Sequence, residues 1–255
     1  MALVLTDLTD GVATITLNDP DRLNALSLPL VEEALAAFDA IEGKARVIII
    51  TGSGRGFCAG ANLADDSTQA EGGPHPLLTH FNPLIMRIHD SKVPIITKVR
   101  GPAAGYGASL ALAGDIVIAA DNAYFLQAFR NIGLVPDGGS AYTLVKSAGR
   151  IRATEMMLLG QKIPARTALE WGLVTRIVPE AELDATVADL ARELAEGPTV
   201  ALGLIRQMAW AVTSGTMADE LKLEVDYQIR CLASADHEEG KNAFLEKRPA
   251  KFTGN

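Results

Sequence analysis

Residues 46–61 read RVIIITGSGRGFCAGA. After Arg46 comes an apolar, β-branched run with no polar alternation. That predicts a strand covered on both faces, which requires helices on both sides of a sheet. Glycines then recur at 52, 54, 56 and 60, where backbone must turn sharply or approach a neighbour closely. The same pattern of buried strand and helix continues downstream. Val93–Val99, Asp115–Ala120 and Leu173–Val178 read as further buried strands, with helical stretches around 105–113, 138–147 and 149–159 between them. Strand–helix alternation with buried strands means an α/β fold. Upstream, Val12–Asn18 alternates as VATITLN and pairs with Leu3–Leu8 across Asp10-Gly11 in a predicted hairpin. Leu30–Ile41 carries apolar residues at helical spacing, with Ser27 placed to cap the helix and Gly43 to stop it. From Pro179 the strand signal fades, and 180–196, 198–212, 216–234 and 236–247 read as consecutive helices. The expected division is an α/β core over 1–195 and a helical region over 196–255. Residues 65–76 (DDSTQAEGGPHP) are expected to form a mobile loop.

Composition narrows the function. The chain has 255 residues, 48% apolar and 21% charged, with a net charge of −8. This excludes bulk disorder, and the acidity argues against nucleic-acid binding. Cys58 and Cys231 lack metal-ligand or disulfide spacing, so no metal site is expected. The N-terminus lacks the pattern of a signal peptide, and the best apolar run, Ala108–Ala120, is broken by Asp115. The tail FTGN is not a peroxisomal address, and a cytoplasmic setting away from membranes is expected.

Thirteen of the 23 glycines lie between Gly52 and Gly139, so that third of the chain is where a site is sought. The first cluster has Phe57 where a dinucleotide fingerprint needs glycine, and it lacks the Gly-Lys-Ser/Thr of a P-loop. The second, Gly101-Pro102-Ala103-Ala104-Gly105-Tyr106-Gly107-Ala108-Ser109, follows a strand and opens a helix. Free N–H groups at such a start stabilise an anion or a developing oxyanion. Gly107-Ala108-Ser109-Leu110-Ala111 also approximates a nucleophile elbow, with His237 the one histidine that follows it. The plain alternative is a small serine on a packed helix. Asp137, in Gly133-Leu134-Val135-Pro136-Asp137-Gly138-Gly139, sits at a helix start, where a capping carboxylate is ordinary. His75, His80 and His89 have no ligand spacing and read as solvated.

Together these segments resemble the crotonase, or enoyl-CoA hydratase/isomerase, superfamily over nearly the whole chain. The markers are Asp21-Arg22-Leu23-Asn24-Ala25-Leu26, residues 55–63 (RGFCAGANL), Gly101 through Ser109 with Gly114-Asp115-Ile116, and residues 133–139. Ala168–Val174 (ALEWGLV) and Phe244-Leu245-Glu246-Lys247-Arg248 complete the set. The resemblance implies a spiral of ββα units, a C-terminal helical trimerisation region, and homotrimers or dimers of trimers. It implies an acyl-CoA substrate, with coenzyme A part of that substrate and no separate cofactor. The thioester oxygen would sit between the backbone N–H groups of Ala61 and Tyr106. Tyr106 stands where the family commonly has Gly or Ala, so its side chain needs room beside the pocket. Arg22, Leu23, Ala25, Ala59 and Leu63 correspond to the CoA-lining stretch. Phe244 and Lys247 match tail positions that reach the adenine end, often of a neighbouring subunit.

Hydratases of the family hold water with two glutamates, which fall here at Ser109 and Phe129, both expected to line the acyl pocket. A subset resembling the isomerases of phenylacetyl-CoA breakdown carries Ile-Gly-Leu-Val-Pro-Asp-x-Gly-Gly, with the aspartate as proton shuttle; residues 132–139 match it, with Asp137 as the aspartate and Ser140 at the final glycine. The resemblance thus implies an acyl-CoA isomerase in which Asp137 is catalytic. Apolar surroundings, with Phe129, Leu134 and Val135 as candidates, would raise the basicity of that carboxylate. The alternatives are a weak enoyl-CoA hydratase, a non-catalytic acyl-CoA-binding member, and a serine hydrolase. The segment 64–92 is expected to roof the pocket.

Overall fold

A computed structural model of the chain describes residues 2–64 and 74–255. Most of the segment expected as a mobile loop, 65–73, lies outside the described residues. The first hairpin is β1 (Val4–Thr9) against β2 (Val12–Leu17), followed by α1 (Leu28–Ile41), capped by the Ser27 side chain. β3 (Val47–Gly52), β4 (Ile95–Val99), β6 (Ile116–Ala120) and β9 (Arg176–Val178) extend the sheet in the order β1-β2-β3-β4-β6-β9. All pairs after the hairpin are parallel, in register Ile48↔Ile95 and Ile96↔Ile116. Strand β9 is shorter than the apolar run predicted, because Leu173 and Val174 are buried in the turn that precedes it.

Every position of β3 is buried, and its alternate side chains explain the unbroken apolar run. Ile48 and Ile50 join the main core with α1 and Phe57. Val47 and Ile49 face the other way, onto Leu183, Val187, Ala191 and Ala195 of α7 (Leu183–Ala195). Those four residues recur every fourth position, which puts them on one helical face.

A second, three-stranded sheet of β5 (Pro102–Ala104), β7 (Tyr124–Leu126) and β8 (Lys162–Pro164) had no clear sequence signal. It completes the spiral. Each turn lays one strand in the large sheet and one in the small: β3 then Cys58, which bridges Ala103; β4 then β5; β6 then β7. Helices close the turns: α2 (Asn82–His89), α3 (Tyr106–Leu112), then α4 (Ser140–Ala148) with α5 (Arg150–Leu159). A short helix, α6 (Ala165–Glu170), leads toward β9.

The region after residue 195 is helical: α8 (Thr199–Ala211), α9 (Met217–Leu232) and α10 (Ala235–Glu246). Arg206 of α8 anchors it. Its guanidinium, nearly fully buried, pairs with Asp115 at 2.8 Å and donates to the carbonyls of Ile88, His89 and Ser91 at the end of α2. No helix among the described residues is long and apolar enough to cross a membrane.

Candidate active site

The first arm of the site is set by a strap over residues 19–26. A 3-10 turn at Pro20–Arg22 leads into Leu23 and Asn24, both left-handed, with φ of 53° and 56°. Such a conformation costs roughly 1–2 kcal/mol per non-glycine residue, and the Asn24 side chain offsets it. Fully buried, it donates through Nδ2 to the carbonyls of Ser53 and Gly56 at 2.9 Å and of Phe57 at 3.1 Å. Its Oδ1 accepts the Asp19 N–H at 2.9 Å. Gly52 makes room for this latch, since a methyl there would lie 2.5 Å from Asn24 Nδ2 and 2.1 Å from the Phe57 carbonyl oxygen.

Beyond Asn24 the strap pairs with residues 59–62. Ala59 N–H donates to Leu23 at 2.9 Å, Leu26 N–H to Gly60 at 2.8 Å, and Asn62 N–H to Leu26 at 2.8 Å. In this parallel bridge both neighbours of Ala61 bond to Leu26, so the Ala61 amide points to the opposite side. Among the described residues nothing accepts its proton.

The second arm follows β5. Gly105, at φ 51°, donates its N–H to Leu126 at 2.8 Å, and α3 begins at Tyr106. The Tyr106 N–H is therefore the first of the unpaired donors at that helix start. The two arms touch: a methyl on Gly60, whose φ is 99°, would lie 2.8 Å from the Ala104 carbonyl oxygen and 3.5 Å from the Tyr106 amide nitrogen. The Tyr106 side chain finds its room in the core. It is 1% exposed, meets the Phe81 ring edge-on with centroids 5.1 Å apart, and donates its hydroxyl to the Phe81 carbonyl at 2.5 Å. Burial, then the nearby Asp137 and Cys58, hold the phenol well above its usual range. Burial likewise pushes the Cys58 thiol up to about 12, so it is no nucleophile.

Asp137 lies beyond a 3-10 turn, Ala128–Ile132, which buries Phe129. The capping role ordinary for an aspartate at a helix start is not what Asp137 does. Gly139, at φ 74°, holds the cap position of α4, and Asp137 Oδ1 is buried with no hydrogen-bond partner among the described residues. Burial raises this carboxyl from 3.8 to about 6; its own backbone N–H and His75 act in the opposite direction, more weakly. The expected apolar enclosure is only partly right. Leu134 and Val135 are 57% and 81% exposed, whereas Phe129 is buried. Instead the loop lies against α3, since a methyl on Gly138 would sit 2.8 Å from Ser109 Cβ and 3.0 Å from the Tyr106 ring.

Ser109 is buried and its hydroxyl is committed. It donates to the Asp137 carbonyl at 2.9 Å and lies 2.5 Å from Ser140 Oγ, which accepts from Gln127 Nε2 at 3.0 Å. His237 opens α10, with its backbone N–H on Ser234, and makes no hydrogen bond to Ser109. The nucleophile–base pair of a hydrolase is therefore not assembled.

The fold thus brings Ala61, Tyr106, Ser109 and Asp137 to the two arms and α3, while Phe129 is buried in the 3-10 turn before Asp137. Arg22, Leu23, Ala25, Ala59 and Leu63 share the rim formed by the strap and its partner loop, with Arg22 and Leu63 exposed. Phe244 lies on α10, which packs on α9, and Lys247 is the left-handed residue that ends this helix; Phe244 is 83% exposed. Sequence reasoning missed Asn24, Gln127 and Ser140 as parts of the site. Asn24 lay inside a quoted motif, Gln127 is a polar residue directly after a strand, and nothing local marks Ser140.

Comparison with known proteins gives the kinship. The sequence pattern of the family described as Enoyl-CoA hydratase/isomerase matches residues 7–255. The chain is 42% identical to the 1,2-epoxyphenylacetyl-CoA isomerase of Escherichia coli (strain K12) over 261 residues, covering 100% of this chain and 99% of that protein. It is 40% identical to a Rhodobacter capsulatus protein named "Probable enoyl-CoA hydratase", covering 97% and 96%. The crystal structure of an enoyl-CoA hydratase from Polaromonas sp. JS666 superposes with a TM-score of 0.91 at 31% identity, covering 98% of this chain and 99% of that one. The chain belongs to the enoyl-CoA hydratase/isomerase, or crotonase, family, whose members carry out hydratase or isomerase chemistry on CoA thioesters.

Proposed function

We propose that this protein is an acyl-CoA isomerase that moves a proton through a thioester enolate. The observation that carries the reading is the half-buried Asp137 carboxylate, its Oδ1 unpartnered among the described residues, against the helix whose first amide is Tyr106. For a 3-enoyl-CoA the Asp137 carboxylate takes a proton from C2; the C2–H electron pair forms a C1=C2 bond and pushes the carbonyl pair onto the thioester oxygen, giving a dienolate that still holds the 3,4 double bond. The Ala61 and Tyr106 N–H groups hold its oxygen, each such donor being worth roughly 2.7–4 kcal/mol of barrier. The Asp137 carboxylic acid then returns the proton to C4, leaving the 2,3 double bond and the carboxylate restored. A carboxyl raised to about 6 is still mainly ionised at neutral pH, yet is a stronger base than an ordinary aspartate. The name of the Escherichia coli relative, an isomerase of an aromatic-derived acyl-CoA, supports the same class.

Hydration is the second reading, favoured by the names of the Rhodobacter and Polaromonas proteins. Against it, Ser109 and Phe129 stand where the resemblance places the two water-holding glutamates. Isomerisation of a 3-enoyl-CoA and hydration of crotonyl-CoA, measured side by side, separate the two. The proposal expects the first to exceed the second by orders of magnitude, and the reverse ratio overturns it.

A homotrimer, or a dimer of trimers, built through the 196–255 region is proposed on one feature of α9. That helix buries no residue, and Met217, Leu221, Val225, Ile229 and Leu232 form an exposed apolar stripe along it.

A further inference from the structure

Behind the proposed base lies a directed chain of hydrogen bonds that no part of the mechanism above uses. Gln127, Ser140 and Ser109 are all buried, at 0%, 2% and 2% exposure. Gln127 Nε2 has only protons to offer and donates to Ser140 Oγ at 3.0 Å. Ser109 donates its single proton to the Asp137 carbonyl at 2.9 Å. The 2.5 Å contact between the two hydroxyls therefore runs one way, from Ser140 to Ser109. The same Asp137 carbonyl accepts the Ser140 backbone N–H at 3.1 Å, so α3 and the first residue of α4 grip one peptide unit between them.

That grip has a purpose in the local geometry. Asp137 precedes two glycines at φ 58° and 74°, the most permissive backbone in the loop, and follows exposed Leu134 and Val135. Oδ1 of its side chain has no hydrogen-bond partner among the described residues, and the carboxyl is bonded by its own backbone N–H. Among those residues the carboxylate is thus aimed through its own main chain. We infer that Ser109, Ser140 and Gln127 are positioning residues for Asp137, and that Ser109 directs its carboxylate through the bond to its carbonyl. The inference rests on the reading of Asp137 as the proton shuttle.

The test is steady-state isomerisation of a 3-enoyl-CoA by Ser109→Ala, Ser140→Ala and Asp137→Asn, over a range of pH. Ser109→Ala loses the direct bond to Asp137 and is expected to lower kcat about tenfold with KM unchanged. Ser140→Ala leaves that bond intact and lowers kcat by a smaller factor. A loosened loop also hydrates the carboxylate. In Ser109→Ala the acid limb of kcat/KM is therefore expected to move below that of the native protein, while His75 and Tyr106 still face the group. A merely structural serine would lower the active fraction without moving that limb or splitting kcat from KM. Native kcat in both serine variants beside an inactive Asp137→Asn overturns the positioning role alone, and so does a loss with an unmoved acid limb. Native turnover in Asp137→Asn overturns the shuttle first. If Ser109→Ala fails to fold, the kcat and acid limb of Ser140→Ala decide the question.

Discussion

Replacing Asp137 by Asn is expected to make the protein more stable while making it inactive, and the pH dependence of that gain can be worked from the site. Burial lifts the Asp137 carboxyl from 3.8 to about 6. The folded chain therefore binds a proton that the unfolded chain has released between those two values. Stability from this group is complete below about pH 4 and is lost as pH rises through about 6. At pH 8 the ionised carboxylate burdens the fold by at most ~3 kcal/mol. Part of the group faces solvent, so about 1–2 kcal/mol is a better expectation. Asparagine has the same shape and no charge to desolvate. At roughly 2–4 °C per kcal/mol for a chain of this size, Asp137→Asn should melt about 2–8 °C higher than the native protein at pH 8. At pH 4, where the aspartate is neutral in the folded chain and only about half ionised in the unfolded one, the difference should be small. Thermal melts followed by circular dichroism at the two pH values measure it. Equal melting at pH 8, or an increase of the same size at both, would show that the carboxylate is not desolvated as argued.

Asn24→Ala should destabilise by about 3 kcal/mol, because the carbonyls of Ser53, Gly56 and Phe57 lose their donor. Asn24→Asp should be at least as damaging at neutral pH, since it sets a carboxylate against those three oxygens; urea melts of the two variants check the order. Arg206→Met should cost roughly 3–5 kcal/mol by leaving Asp115 and the end of α2 without their cation, read as a fall in urea midpoint. Charges placed in the α9 stripe, Leu221→Lys with Val225→Glu, should dissociate the proposed oligomer to monomers in analytical ultracentrifugation without loss of helical signal.

Much of this fold is legible in the sequence because its signals are local. The β-branched run at 46–51, the alternation at 12–18 and the Ser27 cap each correspond to an element found in place. The small sheet is not legible, since its strands Pro102–Ala104, Tyr124–Leu126 and Lys162–Pro164 have three residues each. No periodicity survives at that length, and their pairing joins residues 22 to 40 apart. The site divides the same way. Gly60, Gly105 and Asp137 announce themselves through motif spacing. The roles of Asn24, Gln127 and Ser140 do not, because each acts through a partner distant in sequence. Leu134 and Val135 mislead in the other direction: apolar by type, they face solvent, and the burial of Asp137 comes from α3.

The central claim is that the Asp137 carboxylate moves the proton. It is tested most directly by placing a 3-enoyl-CoA in deuterated water with the native protein and with Asp137→Asn, and following the C2 proton by NMR together with formation of the 2-enoyl-CoA. The account predicts that C2–H cleavage and the double-bond shift both fall by roughly 10²–10⁴ in the variant, with acyl-CoA binding nearly intact. C2–H cleavage at the native rate in Asp137→Asn would contradict it.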